Sequence, residues 1–179
     1  MKFFKKHSKS FTIIELIIAV AIIIILSVII IANYEWGGYQ IELQEATQKV
    51  VQDMSKIRNE TLSSPITSSP PGIYIKVSSS KYVLFRDLDS DGEYDEGEAQ
   101  QIVDLGKDIY FQTFEWDLEN DERKGTPGSL TLFFIPPEPT VRIIVGGEQK
   151  NAAVIVLWSK KAEATSSIFI TETGLIEVR

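Results

Sequence analysis

The chain contains no cysteine, which removes disulfides, thiolate metal sites and cysteine nucleophiles together. Histidine is almost as scarce. The single one, His7, lies in a lysine-rich leader, so neither a Ser-His-Asp triad nor a histidine metal site has material to form from. Basic side chains are also short once the leader is passed. The 179 residues carry a formal net charge of −7, but residues 33–179 hold 14 Lys and Arg against 24 Asp and Glu, a net −10. An acidic domain of this kind is a poor partner for phosphates, and no nucleic acid is expected. Long helical patterns stop at Leu62. Carboxylates such as Glu96 and Glu98 follow no spacing that marks a glycosidase pair, and no enzyme is expected.

What is present is unevenly spread. The mean hydropathy of +0.01 looks ordinary, and the length allows one domain and hardly two. Yet the first 32 positions hold a disproportionate share of the apolar residues. Met1–Ser10, MKFFKKHSKS, carries four lysines and no acid, and Phe11–Ala32, FTIIELIIAVAIIIILSVIIIA, carries one charge, Glu15. As a helix that run spans about 33 Å, enough for a hydrocarbon core of about 30 Å. The flanking lysines hold the N-terminus in the cytoplasm and send the rest of the chain outward. The expectation is a single-pass membrane protein with an extracytoplasmic domain. A secretory signal and a retained signal anchor both fit the apolar run. Neither accounts for Glu15, because a carboxylate in a spanning segment costs about 2.5–3.5 kcal/mol and so points to a function or a partner. Snorkelling at the cytoplasmic edge is the plainer reading of the same residue.

The string KSFTIIELIIAV resembles the processing site of type IV prepilins and type II secretion pseudopilins: a basic leader, a cut before Phe, and Glu as the fifth mature residue. The resemblance implies that prepilin peptidase cuts between Ser10 and Phe11 and methylates the new amino group of Phe11, and that Glu15 pairs with the amine of a neighbouring subunit. Its implied partners are prepilin peptidase, other pilin or pseudopilin subunits and the inner membrane. Its implied destination is a surface or periplasmic filament. Ser10 stands where the family usually has Gly, and the family proline within the apolar helix is missing, with Gly37-Gly38 the nearest flexible point.

From residue 33 the pattern changes. Ile41, Leu43, Ala46, Val50, Met54 and Ile57 recur near the 3.6 period, opposed by Glu42, Glu45, Lys49, Asp53 and Arg58. This predicts an amphipathic stalk helix over 33–62, ending before Ser63-Ser64-Pro65 and Ser68-Ser69-Pro70-Pro71-Gly72. Short β-branched and aromatic runs follow at Gly72–Val77, Lys81–Arg86, Gln100–Leu105, Ile109–Trp116, Ser129–Ile135, Val141–Val145, Ala152–Trp158 and Ile168–Val178, the last broken at Gly174. The expected fold class is α+β: a long N-terminal helix, spanning the membrane in its first half, packed on an antiparallel sheet or small sandwich formed by residues 63–179. Val154, Val156 and Trp158 alternate with Ile155 and Leu157, which predicts a strand covered on both faces. Asp117–Lys124 reads as a solvated loop. One helix followed only by strands resembles the pilin fold, the minor pseudopilins of the GspH/FimT kind most of all, with 168–176 resembling their closing hairpin.

The segment after Arg86 places acids at loop positions 1, 3, 5, 9 and 12, counted from Asp87, with Gly92 at position 6. That is the spacing of an EF-hand calcium loop. Asp87, Asp89 and Asp91 would supply carboxylates, Glu93 its carbonyl, Asp95 a direct or water-mediated contact and Glu98 a bidentate pair. Seven acids in twelve residues repel one another without a cation. The flanks, Tyr82–Phe85 and Gln101–Val103, read as strands, so the expected site is an isolated structural Ca²⁺ loop over 87–98. Two functions stay open: a filament subunit carrying this loop, and a non-polymerising, signal-anchored module that uses calcium to hold a ligand or adhesin surface.

Overall fold

The computed structural model describes residues 12–63, 69–89, 91–116, 124–125, 128–135 and 140–179, with side chains described except at 29–36 and 124–125. The leader 1–10, Phe11, residues 64–68 of the breaker loop and residues 117–123 of the solvated loop lie outside them. Among the described residues one α-helix, α1 (Ile13–Ser63), is followed by β1 (Pro71–Lys76), β2 (Lys81–Arg86), a 3-10 turn at Glu96–Glu98, β3 (Ala99–Asp104), β4 (Ile109–Trp116) and β5 (Lys124–Gly125). Next come β6 (Ser129–Ile135), β7 (Thr140–Val145), β8 (Glu148–Lys150), β9 (Ala152–Ser159), β10 (Ala164–Thr171) and β11 (Ile176–Val178). The class is α+β.

The helix runs unbroken through Gly37-Gly38, the nearest flexible point in the sequence. Two glycines cost about 1 kcal/mol each in a helix interior, but neither imposes a turn by itself. The chain divides into two compact units at that same place, Met1–Gly38 and Tyr39–Arg179.

In the second unit, all strand pairings are antiparallel and form two sheets, ordered β3-β2-β1-β6-β7-β8 and β11-β10-β9-β4-β5. Two-sheet architecture settles the open choice between one sheet and a sandwich. Leu43, Ala46, Val50, Met54 and Ile57 on the helix share one core with Ile73, Ile75, Leu130, Leu132 and Ile143 of the first sheet and Phe111, Phe114, Ile155 and Leu157 of the second. Val50 and Met54 are fully buried, and each such side chain stabilises the fold by about 2 kcal/mol.

Three expectations need correction. β9 lies in the middle of its sheet, but only Ala153, Ile155, Leu157 and Ser159 are buried; Val154, Val156 and Trp158 on its other face are half-buried. The first strand of the closing segment begins at Ala164 and not at Ile168, because Thr165, Ser166 and Ser167 pair with Trp158, Leu157 and Val156 despite their polarity. The short strands β5 and β8 had no apolar signal to announce them. β4 also hides an irregularity: Phe111 and Phe114, three residues apart, would face opposite ways in a regular strand, yet both are fully buried because the register shifts between Phe111 and Thr113.

Candidate functional site

Two regions carry the chemistry read from the sequence. The first is the start of α1. Thr12 precedes the helix, its Oγ1 accepts from the Glu15 N–H (3.3 Å), and the Glu15 carboxylate accepts from both the Thr12 N–H (2.9 Å) and the Thr12 hydroxyl (2.8 Å). This is a capping box, T-x-x-E, in which the two residues satisfy each other's otherwise orphaned amides. The signal is present in the sequence as Thr12-Ile13-Ile14-Glu15, a spacing that the reading of Glu15 as a charge and as the fifth mature residue leaves aside. Ser10 and Phe11 lie outside the described residues. From Ile13 to Val28 every Ile, Leu and Val is exposed, from 48 to 80%. The one hydroxyl in this stretch, Ser27, donates to the Ile23 carbonyl (2.7 Å) and presents no unpaired donor. Among the described residues, no helix is long and apolar enough to cross a membrane. The expected span, Phe11–Ala32, reaches past them at its first residue and past the described side chains at its last four.

The second region is the acidic loop. It leaves β2 at Arg86, which is ion-paired to Glu60 of α1, and the Asp87 N–H donates to the Pro70 carbonyl (3.1 Å). Asp87 is 3% exposed, and its carboxylate accepts from the Gly92 N–H (3.1 Å). Gly92 sits at φ +81°, a conformation that penalises any residue with a Cβ. The carboxylates of Asp89 and Asp91 each accept from the amide two residues on, Asp91 (3.2 Å) and Glu93 (2.7 Å). The chain therefore coils so that one carboxylate oxygen from each of Asp87, Asp89 and Asp91 lies within 4.8 Å of the others.

The other carboxylates of the loop lie outside that group. Glu98, 7% exposed, accepts from the Leu88 N–H (2.6 Å) and the Asp95 N–H (3.1 Å), closing the neck of the loop. Glu93 and Asp95 are exposed, and their carboxylates are not in the group of three. Tyr94 turns from the loop onto the first sheet, where it stacks on Tyr74 (ring centroids 4.7 Å apart) and meets Phe85 edge-on (5.2 Å). Burial, followed by the Glu96 carboxylate, holds the Tyr94 phenol above its ordinary value. An all-oxygen set of hard carboxylates suits a hard dication, so the residues present fit Ca²⁺.

Comparison with known proteins bears on the first region. Residues 5–31 match the family model described as the prokaryotic N-terminal methylation motif. The match supports the type IV pilin and pseudopilin family. It covers the second half of the basic leader, the Ser10-Phe11 junction, Glu15 and the apolar run as far as Ile31. No curated protein and no solved structure matches the chain significantly. For the pilin-type motif, the capping box places Glu15 at the first turn of the helix, with its carboxylate exposed on that turn.

Proposed function

We propose that this protein is a minor pilin or pseudopilin, of the GspH/FimT kind, in a type IV pilus-like or type II secretion filament. Prepilin peptidase removes Met1–Ser10, the Phe11–Ala32 helix anchors the subunit in the inner membrane, and the same helix carries it into the filament. The protein is a building block and not an enzyme. The observation that carries this reading is the match of residues 5–31 to the methylation motif, joined to a helix whose apolar side chains from Ile13 to Val28 are exposed among the described residues. A helix apolar on all sides needs lipid or other helices around it. Glu15 then sets register by pairing with a neighbour's Phe11 amine, since a carboxylate in an apolar setting is tolerable once paired.

We further propose that the 87–98 loop holds Ca²⁺ as a structural ion, with Asp87, Asp89 and Asp91 as ligands, Glu93 through its carbonyl, and Asp95 and Glu98 completing the set when the ion is bound. The grouping of three carboxylates within 4.8 Å supports the ion. The proposal is tested by Glu15→Ala in cells that make the filament: subunits of normal abundance that no longer enter filaments are expected, and normal filaments overturn it. Membrane-bound subunits that never enter filaments in the wild type either point instead to a non-polymerising, calcium-dependent binding module.

A further inference from the structure

Phe85 and Phe133 are 1% and 2% exposed, yet they do not belong to the main core. The strand register explains why. In β1, Ile73 and Ile75 face the core, so Gly72 and Tyr74 face the other side of the sheet. Gly72 is opposite Phe85 on one neighbour strand and Phe133 on the other, while Tyr74 is opposite Thr131. The two Phe rings meet edge-on across Gly72 (5.3 Å), on a face that a two-sheet fold leaves to solvent. Something outside the sheets must cover them.

The acidic loop covers Phe85, the ring against which Phe133 packs. Tyr94 contacts Phe85 and Tyr74. Gly92 comes so close to β7 that a Cβ built on it would lie 3.3 Å from the Arg142 Nη1. Glu98 ties the two ends of the loop through the Leu88 and Asp95 amides. Beside Tyr94 a cavity of about 310 Å³ is lined by Tyr74, Ser129, Thr131 and Ile144.

We propose that Tyr94 is a latch that holds the 87–98 loop shut over the aromatic outer face of the first sheet, so that the acidic cluster and the Phe85/Phe133 pair open and close as one unit. The loop has seven carboxylates working to spread it, and the ring contacts of Tyr94 oppose them. Aromatic pairs of this geometry are favourable beyond the area they bury. Opening uncovers Phe85, Phe133 and Thr131 together, and closing brings the three aspartates back within reach of one another. This inference rests on ring packing and not on the cation, so the two fail separately.

The absence of native cysteine allows a direct test on the full chain in detergent micelles with EDTA present. Thr131→Cys, 7% exposed at this position in the closed state, reports the opening through its maleimide labelling rate. Tyr94→Ala is expected to raise that rate about tenfold, the consequence of a lost local closure. Tyr94→Phe, which keeps the ring, is expected to leave it unchanged. Glu98→Ala, which frees the loop neck without touching the aromatic face, is expected to raise it several-fold. Equal labelling rates with and without the Tyr94→Ala change, in proteins whose circular dichroism is the same, overturn the latch, and an unchanged rate in Glu98→Ala overturns the coupling. Should Tyr94→Ala fail to fold, Tyr94→Val carries the same comparison.

Discussion

Thr12 and Glu15 hydrogen-bond each other in both directions across the first turn of α1. In the isolated subunit the carboxylate is thus already engaged, and a neighbour's amine would have to share it or displace Thr12. Thr12→Val removes the hydroxyl half of the box and leaves the charge. It is expected to cost the helix start about 1 kcal/mol, seen as faster amide exchange over residues 13–16, while filaments still form. Loss of filaments in Thr12→Val as complete as in Glu15→Ala would mean that the cap, and not the charge, is what assembly needs.

The calcium reading makes a thermodynamic prediction. An ion that binds only the folded state stabilises it by about 2.7 kcal/mol at a hundred times its dissociation constant. Ca²⁺ should therefore raise the melting temperature of the wild-type chain, and Asp87→Ala and Glu98→Ala should abolish the rise. Asp87 and Glu98 also accept the Gly92, Leu88 and Asp95 amides, so both variants should melt lower even in EDTA, the buried Gly92 amide left without its acceptor costing about 1–3 kcal/mol. A wild-type melting temperature indifferent to Ca²⁺ removes the ion from the account.

Gly72 is closely enclosed within the first sheet. A Cβ there would stand 2.7 and 2.8 Å from two Phe85 ring carbons and 3.0 Å from the Leu132 carbonyl. Phe85 is 1% exposed and packs against Phe133 and Tyr94 as well as Gly72. Gly72→Ala is expected to destabilise the domain by about 1–3 kcal/mol, as overpacking does, measured by denaturant unfolding. An unchanged midpoint would show that the aromatic face is loosely packed.

Tyr82 is fully buried and donates its hydroxyl to Asp53 of α1 (2.5 Å). Burial first, and the bond to Asp53 second, push its phenol far above the ordinary value. The raised folded-state pKa means that the neutral phenol stabilises the fold fully below the unfolded value of about 10. Above that, the unfolded chain ionises and the folded one does not, so stability falls as pH rises. Wild type should lose stability between pH 10 and 11 by about 1 kcal/mol more than Tyr82→Phe. Parallel curves for the two would place the loss elsewhere.

Much of this was legible in the sequence because the relevant signals are local. The apolar period of 41–57, the alternation in the strands from Lys81 to Trp158 and the acid spacing of 87–98 each arise within one segment. What was not legible depends on partners distant in sequence. Thr165, Ser166 and Ser167 have no apolar signal and become strand because β9 lies beside them. Phe111 and Phe114 share a face only through a register shift against the same strand. Tyr94 has no place in the acid spacing, and its contacts are with rings contributed by β1 and β2. Glu98, expected on the ion, is found on the loop's own amides, the donors that the closed neck brings within its reach.

The central claim is that the N-terminal motif is processed as a prepilin, and it is tested most directly by the intact mass and N-terminal sequence of the protein from membranes of cells that contain a prepilin peptidase. The account predicts a chain that begins at N-methylated Phe11. A chain that still begins at Met1, or one that begins beyond Ala32, contradicts it.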